Sequence, residues 1–361
     1  MKSMHASFLP GPVALTRAVR VAFRGPPVSH REPAFLEMMS RTRAALSSLV
    51  QASHVALMVG TGTLANEAVA AQLRCIAGTG LILANGEFGE RLIDQAQRWN
   101  LSFAVERRDW GQPFDWSQAR KNALRRRSTW IWAVLSETST GVMNPLEELL
   151  ALSKFAGAEL CLDAVSAVGL MPVDFRGVRF ATAVSGKGLA AMPGLAAVFH
   201  HGNLAPPGQI PCYLDLANYE AARGVPFTHS SNLLAALDRS LESTRWAEKF
   251  ERVRRASIEL RAALTRYGLP ALAADSDAAP GIVTVALAAD VSATDVATEL
   301  SKQGFHIAHQ SEYLLQRNWL QICLMGEFDE TVLARLPGLL ATQVTTATGL
   351  TRTARDSRAA R

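Results

Sequence analysis

Cysteine is scarce and scattered in this 361-residue chain. Cys75, Cys161, Cys212 and Cys323 lie far apart, with no Cys-x-x-Cys pair. That spacing argues against a disulfide framework and a cysteine zinc site, and no metal is expected. No apolar run reaches the ~18 residues of a membrane span, so no membrane association is expected. An excess of one charge is also missing: 37 Lys and Arg face 32 Asp and Glu, a net +5. The densest basic pieces, Arg125 to Arg127 and Arg352 to Arg361, carry no interleaved aromatics, which argues against nucleic-acid binding. The N-terminus shows no compact apolar block with a cleavage site, so the chain is read as cytoplasmic.

What is present is a repeated strand–helix alternation. His54 to Val59, Leu81 to Ala84, Leu101 to Glu106, Thr129 to Leu135, Leu160 to Asp163, Phe180 to Val184 and Ala196 to His200 read as strands. Helical spacing falls between most of them, including Leu64–Ile76, Glu87–Trp99 and a helix from Pro145 with Asn144 as its cap. The alternation predicts an α/β fold with a mainly parallel sheet covered by helices. From Ser231 one long helical stretch runs to about Tyr267, and shorter strands and helices follow, predicting a smaller α+β unit. The expected division is an N-terminal arm (1–32), a large domain (33–245), a small domain (246–345) and a disordered basic tail (346–361).

The chemistry-bearing residues gather at predicted strand ends, where ligands bind in open α/β sheets. Gly60-Thr61-Gly62-Thr63 stands between a strand and a helix. Its glycines let the backbone approach an anion, and the helix start offers free N–H groups, so it reads as a phosphate cradle or an ordinary tight turn. Asn85-Gly86-Glu87-Phe88-Gly89 repeats the arrangement one unit later, and Phe88 suits stacking on an aromatic ring or burial in the core. Ser136-Glu137-Thr138-Ser139-Thr140-Gly141 clusters hydroxyls at a third strand end. Asp163 closes a fourth, and Lys187, between Gly186 and Gly188, follows a fifth. A lone lysine and a lone aspartate so placed suit pyridoxal phosphate: the lysine as Schiff-base former, the aspartate as partner of the protonated ring nitrogen. A surface lysine in a glycine turn and a helix-capping aspartate fit the same two stretches.

Taken in order, these motifs resemble the class V aminotransferases of pyridoxal-phosphate fold type I, especially the alanine–glyoxylate/serine–pyruvate and 2-aminoethylphosphonate–pyruvate transaminases. The resemblance runs from Leu9-Pro10-Gly11-Pro12-Val13 to about Gly326. It includes Ser29 to Phe35, Glu137 to Val142, Asp163-Ala164-Val165-Ser166-Ala167, and Ser185-Gly186-Lys187 with Pro193-Gly194 beyond. It implies that Lys187 and Asp163 are catalytic. Val165 would be the floor beneath the ring and Phe88 its stacking cover. Thr61, Gly62 and Thr63 would hold the phosphate, and Thr138 or Ser139 would lie near the ring phenol, with Ser185 beside the lysine. Thr228 would reach across a homodimer to the partner's cofactor, so the active sites would be shared.

Two departures stand out. Gly186 replaces a side chain that commonly precedes the lysine in relatives. Gln321 replaces an arginine that grips the substrate carboxylate in relatives, and Arg317 and Arg31 are the cations that could replace it. The resulting expectation is transfer of an amino group from a small amine or amino acid to a 2-oxo acid such as pyruvate or glyoxylate. A lyase of the same fold and a non-catalytic binder of the cofactor are the alternatives.

Overall fold

The computed structural model describes residues 6–359. Its centre is a seven-stranded sheet. From edge to edge the strands are His54–Val59, Leu195–His200, Phe180–Val184, Glu159–Asp163, Ser128–Val134, Thr79–Ala84 and Phe103–Arg107. Leu195–His200 is antiparallel to both neighbours, and the other pairings are parallel. The six co-directional strands therefore deliver their carboxyl ends to one edge of the sheet.

Side chains that alternate along a strand feed two separate cores. Leu81, Leu83, Ile131, Ala133, Leu160 and Leu162 pack on one face, with Phe35, Met39 and Leu46 of the helix Pro33–Val50. Ile82, Ala84, Trp130, Trp132 and Cys161 pack on the other, with Val69 of the helix Gly62–Arg74 and Leu92 of the helix Glu87–Arg98. Burial on both faces accounts for the near-continuous apolar strand sequences.

The smaller unit has its own core, built from Ala256, Leu260, Val283, Val285, Leu300, Leu320, Ile322 and Leu336. Its strands Ile282–Ala286 and Trp319–Cys323 pair antiparallel. The N-terminal segment is anchored there as well: Ala6–Phe8 pairs in parallel with Phe305–Ile307, and Phe8 enters the small core.

Several elements differ from the sequence reading. The stretch from Ser231 to Tyr267 is two helices, Ser231–Ser243 and Trp246–Arg266, with Thr244 extended between them. The first buries Leu234 and Leu237 in the large core, and the second buries Ala256 and Leu260 in the small one, so the chain must turn. Asn144 does not cap the following helix. It is buried, and its amide pairs with Asn85 and donates to the Val134 carbonyl at 2.8 Å. The segment Asp329 to Thr342 is also two helices, Glu330–Leu333 and Leu336–Ala359. Pro337 has no N–H with which to continue the first, but is tolerated in the first turn of the second. That last helix takes in most of the basic tail read as disordered, and residues 360–361 lie outside the described residues.

Candidate active site

The carboxyl ends of four strands open onto one cavity of about 660 Å³. Of the residues singled out from sequence, Thr61, Gly62, Thr63, Phe88, Asp163, Val165 and Lys187 line it. Gly11 and Pro12 of the N-terminal segment complete a wall, as do Asn66, Arg91, Gly186 and Pro193.

Thr61 precedes the helix Gly62–Arg74 and makes no side-chain capping bond to it. The first N–H groups of that helix therefore remain available to an anion entering the cavity. A Cβ on Gly62 would stand 3.1 Å from Val165, so glycine lets this turn close against the floor residue.

Lys187 is half-buried. Its Nζ donates to Ser166 Oγ at 2.9 Å and stands 5.2 Å from the Phe88 ring centroid. Ser166 Oγ also shares a short hydrogen bond with Thr138 Oγ1. Burial lowers the Lys187 pKa below the ordinary lysine value, with the Asp163 carboxylate opposing the shift. A lysine so placed is closer to the neutral, nucleophilic amine than an exposed one.

Asp163 is buried at its strand end. One carboxylate oxygen accepts from Val165 N–H at 3.0 Å, the other from Asn66 Nδ2 at 2.8 Å. Burial raises its pKa, and Asn66, the Val165 N–H, Lys187 and Arg91 work in the opposite direction.

Phe88 is set by Glu137. This fully buried carboxylate accepts from the N–H groups of Phe88 (3.3 Å), Gly89 (3.0 Å) and Ser139 (3.1 Å), and from Ser139 Oγ (2.5 Å). It thereby caps the helix that begins at Glu87. A Cβ on Gly86 would lie 2.4 Å from Glu137 Cγ, which is why this position has no side chain.

Other residues named from sequence lie outside the lining. Ser139 also accepts from Glu87 N–H at 3.0 Å, and Ser185 Oγ donates to the Met192 carbonyl at 2.6 Å, so both hold loops. Thr228 is exposed, next to Phe227, whose ring stacks on Tyr213 at 5.3 Å. Arg31 is exposed and reaches the Val225 carbonyl at 3.5 Å. Arg317 is exposed and lies over Trp110, 3.8 Å from its centroid, and near Trp319 at 5.1 Å. Gln321 is wholly buried: its Nε2 donates to the Thr138 carbonyl and, at 3.0 Å, to Thr284 Oγ1. The cation of the lining nearest the cluster is instead Arg91, 4.9 Å from the Phe88 centroid and paired with Glu87 at 2.8 Å.

The sequence reading missed Asn66, Ser166 and Arg91. A signal existed for each: Asn66 is four residues after Gly62 and Arg91 three after Phe88, both on the same helix face, and Ser166 lies inside the Asp163 motif.

Fold and site together define a pyridoxal-phosphate enzyme of fold type I. A family model for class V aminotransferases matches residues 22–210. A protein named soluble hydrogenase 42 kDa subunit, from Anabaena cylindrica, is 32% identical over 321 residues, covering 83% of this chain and 82% of its own. A 2-aminoethylphosphonate–pyruvate transaminase of Pseudomonas putida is 31% identical over 199 residues, 52% of this chain and 54% of its own. The crystal structure of an alanine–glyoxylate aminotransferase from Nostoc sp. matches with a TM-score of 0.85 at 26% identity, covering 94% of this chain and 95% of that one. The chain belongs to the class V aminotransferase family, and it is a pyridoxal-phosphate-dependent transaminase.

The residues present fit that cofactor. An uncapped helix start faces the cavity where a phosphate needs N–H donors. An amine and a carboxylate reach the same space, and Phe88 and Val165 line it as apolar surfaces. Among the described residues no helix is long and apolar enough to cross a membrane.

Proposed function

We propose that this chain works as a homodimer that transfers an amino group from a small amine or amino acid to a 2-oxo acid such as pyruvate or glyoxylate. The observation that carries the reading is the Lys187 amine, held by Ser166 and beside Phe88, in one cavity with Asp163. Names of the relatives support the acceptor: one transaminase uses pyruvate, and one aminotransferase uses glyoxylate.

In this reading Lys187 holds the cofactor covalently. Thr61, Gly62 and Thr63 would hold its phosphate, Phe88 and Val165 would flank its ring, and the Ser166–Thr138 hydroxyl pair would be available to its phenolic oxygen. Asp163 would pair with its ring nitrogen. When bound, pyridoxal phosphate supplies the aldehyde that receives the amino group and the electron sink for the carbanion. Burial lowers the pKa of the Lys187 amine, which favours the unprotonated form that would take the proton from the donor's α-carbon. Thr228, exposed on one chain, serves the site of the other. A cytoplasmic location belongs to the same reading and is supported by four free cysteines.

The donor is the finer part of the proposal. At the position where the resemblance implies a carboxylate-gripping arginine, Gln321 is buried and engaged. Arg317 and Arg31 lie at the surface and outside the lining. Both facts support a donor without an ordinary α-carboxylate, such as a phosphonate, an amide or a plain amine. The test is a donor panel of alanine, serine, 2-aminoethylphosphonate and simple amines, scored without acceptor by loss of the visible cofactor band and with acceptor by new amino acid. Efficient alanine turnover would remove the altered-donor reading, and ammonia release without acceptor would point to a lyase.

A further inference from the structure

Asn66 has no role in the proposed chemistry, yet its geometry is fully specified. It lies one turn into the helix Gly62–Arg74, buried, on the cavity wall. Its Nδ2 donates to Asp163 Oδ2 at 2.8 Å, and its Oδ1 accepts from Thr182 Oγ1 at 2.9 Å. Thr182 is itself wholly buried in the neighbouring strand, Phe180–Val184.

An amide has one donating and one accepting end. The Thr182 hydroxyl holds the oxygen end, so the NH₂ end faces the carboxylate. A donor in that place favours the ionised acid and disfavours the neutral one. The other groups acting on Asp163 are the Val165 N–H, the Lys187 amine and the Arg91 guanidinium. Lys187 changes its bonding during turnover, and Arg91 is largely exposed and paired with Glu87. The Val165 N–H and Asn66 are the two contacts that stay fixed on the carboxylate, and Asn66 is the one supplied by a side chain.

We propose that Asn66, oriented by Thr182, is a positioning residue that keeps Asp163 ionised and aimed at the cofactor's ring nitrogen. This rests on the reading of Asp163 as that nitrogen's partner. Without the amide donor, burial would push Asp163 toward its neutral form, and the ring nitrogen would lose its proton.

The test reconstitutes the enzyme with pyridoxal phosphate labelled with ¹⁵N in the ring and records the nitrogen resonance across pH. Asp163→Asn is the control: an unmoved resonance there would sink the underlying reading of Asp163. Asn66→Leu keeps the size but removes the donor. It should shift the resonance toward neutral pyridine at neutral pH, weaken cofactor retention, and lower kcat about ten- to a hundredfold with little change in KM. Thr182→Val, which removes only the orienting hydroxyl, should move the resonance in the same direction by less, and Thr182→Ser should restore it. A wild-type resonance in both Asn66→Leu and Thr182→Val, with Asp163→Asn shifted, would overturn the role of Asn66 alone. If Asn66→Leu does not fold, the pair Thr182→Val and Thr182→Ser decides: no shift in Thr182→Val refutes the proposal.

Discussion

The amide of Gln321, on the strand Trp319–Cys323, donates to the carbonyl oxygen of Thr138, on a loop that reaches Lys187 through Ser166. Thr284 Oγ1 reinforces the joint by donating to the Ser139 carbonyl at 3.1 Å. Gln321 thus fastens this strand to the loop that carries the site's hydroxyls. Gln321→Arg would place a longer, charged group in a fully buried slot. An unpaired buried charge costs about 3–5 kcal/mol, so the variant should melt well below wild type and lose activity with every donor. A variant that melts like wild type and gains turnover with alanine would show that position 321 faces the substrate.

Glu137 should prove equally sensitive. Its carboxylate serves four donors, three of them backbone N–H groups. In Glu137→Gln one oxygen becomes an NH₂ group pointing at donors. The expected loss is about 1.5–3 kcal/mol in denaturant unfolding, with slower turnover as Phe88 loses its fixed place. Burial pushes the acid's pKa up while these bonds pull it down. A Glu137→Gln variant as stable as wild type would mean that Glu137 is already protonated and neutral.

Lys187 predicts a pH dependence of the apoprotein. Its folded pKa is lowered by burial, so between that value and the unfolded value of about 10.4 the unfolded chain binds more protons. This group's penalty on folding is therefore largest at low pH and fades as pH rises toward the unfolded pKa. Lys187→Met removes the penalty, so its stability advantage over wild type should shrink with rising pH. A pH-independent difference between the two chains would contradict the lowered pKa. The same variant should give no borohydride-trapped adduct with the cofactor.

The shared active site can be checked by mixing. Lys187→Ala and Thr228→Ala chains should each be impaired alone. After subunit exchange, random pairing makes half the dimers mixed, each with one complete site, so activity should recover toward about a quarter of wild type. No recovery, or a fully active monomer, would remove Thr228 from the site.

Much of the site was legible because its chemistry is local in sequence. Gly60 to Thr63, Phe88, Asp163 and Lys187 each end a strand whose apolar run reads without a structure, and parallel strands bring such ends to one edge. The resemblance to class V aminotransferases rests on the same short motifs. What stayed hidden depends on which segments become neighbours. Asn66 and Thr182 carry no motif, and they acquire a role because one helix crosses the strand ends next to Asp163. Arg317 and Arg31 look like spare cations in a string of letters, yet two tryptophans hold one and a backbone carbonyl the other. Asn144 has the identity of a helix cap, but burial beside Asn85 gives its amide other partners. Residue type and spacing fix which groups sit at strand ends. Strand order, helix crossing and the joint between two cores decide which of those groups touch, because hydrogen bonds and burial act over a few ångströms whatever the separation along the chain.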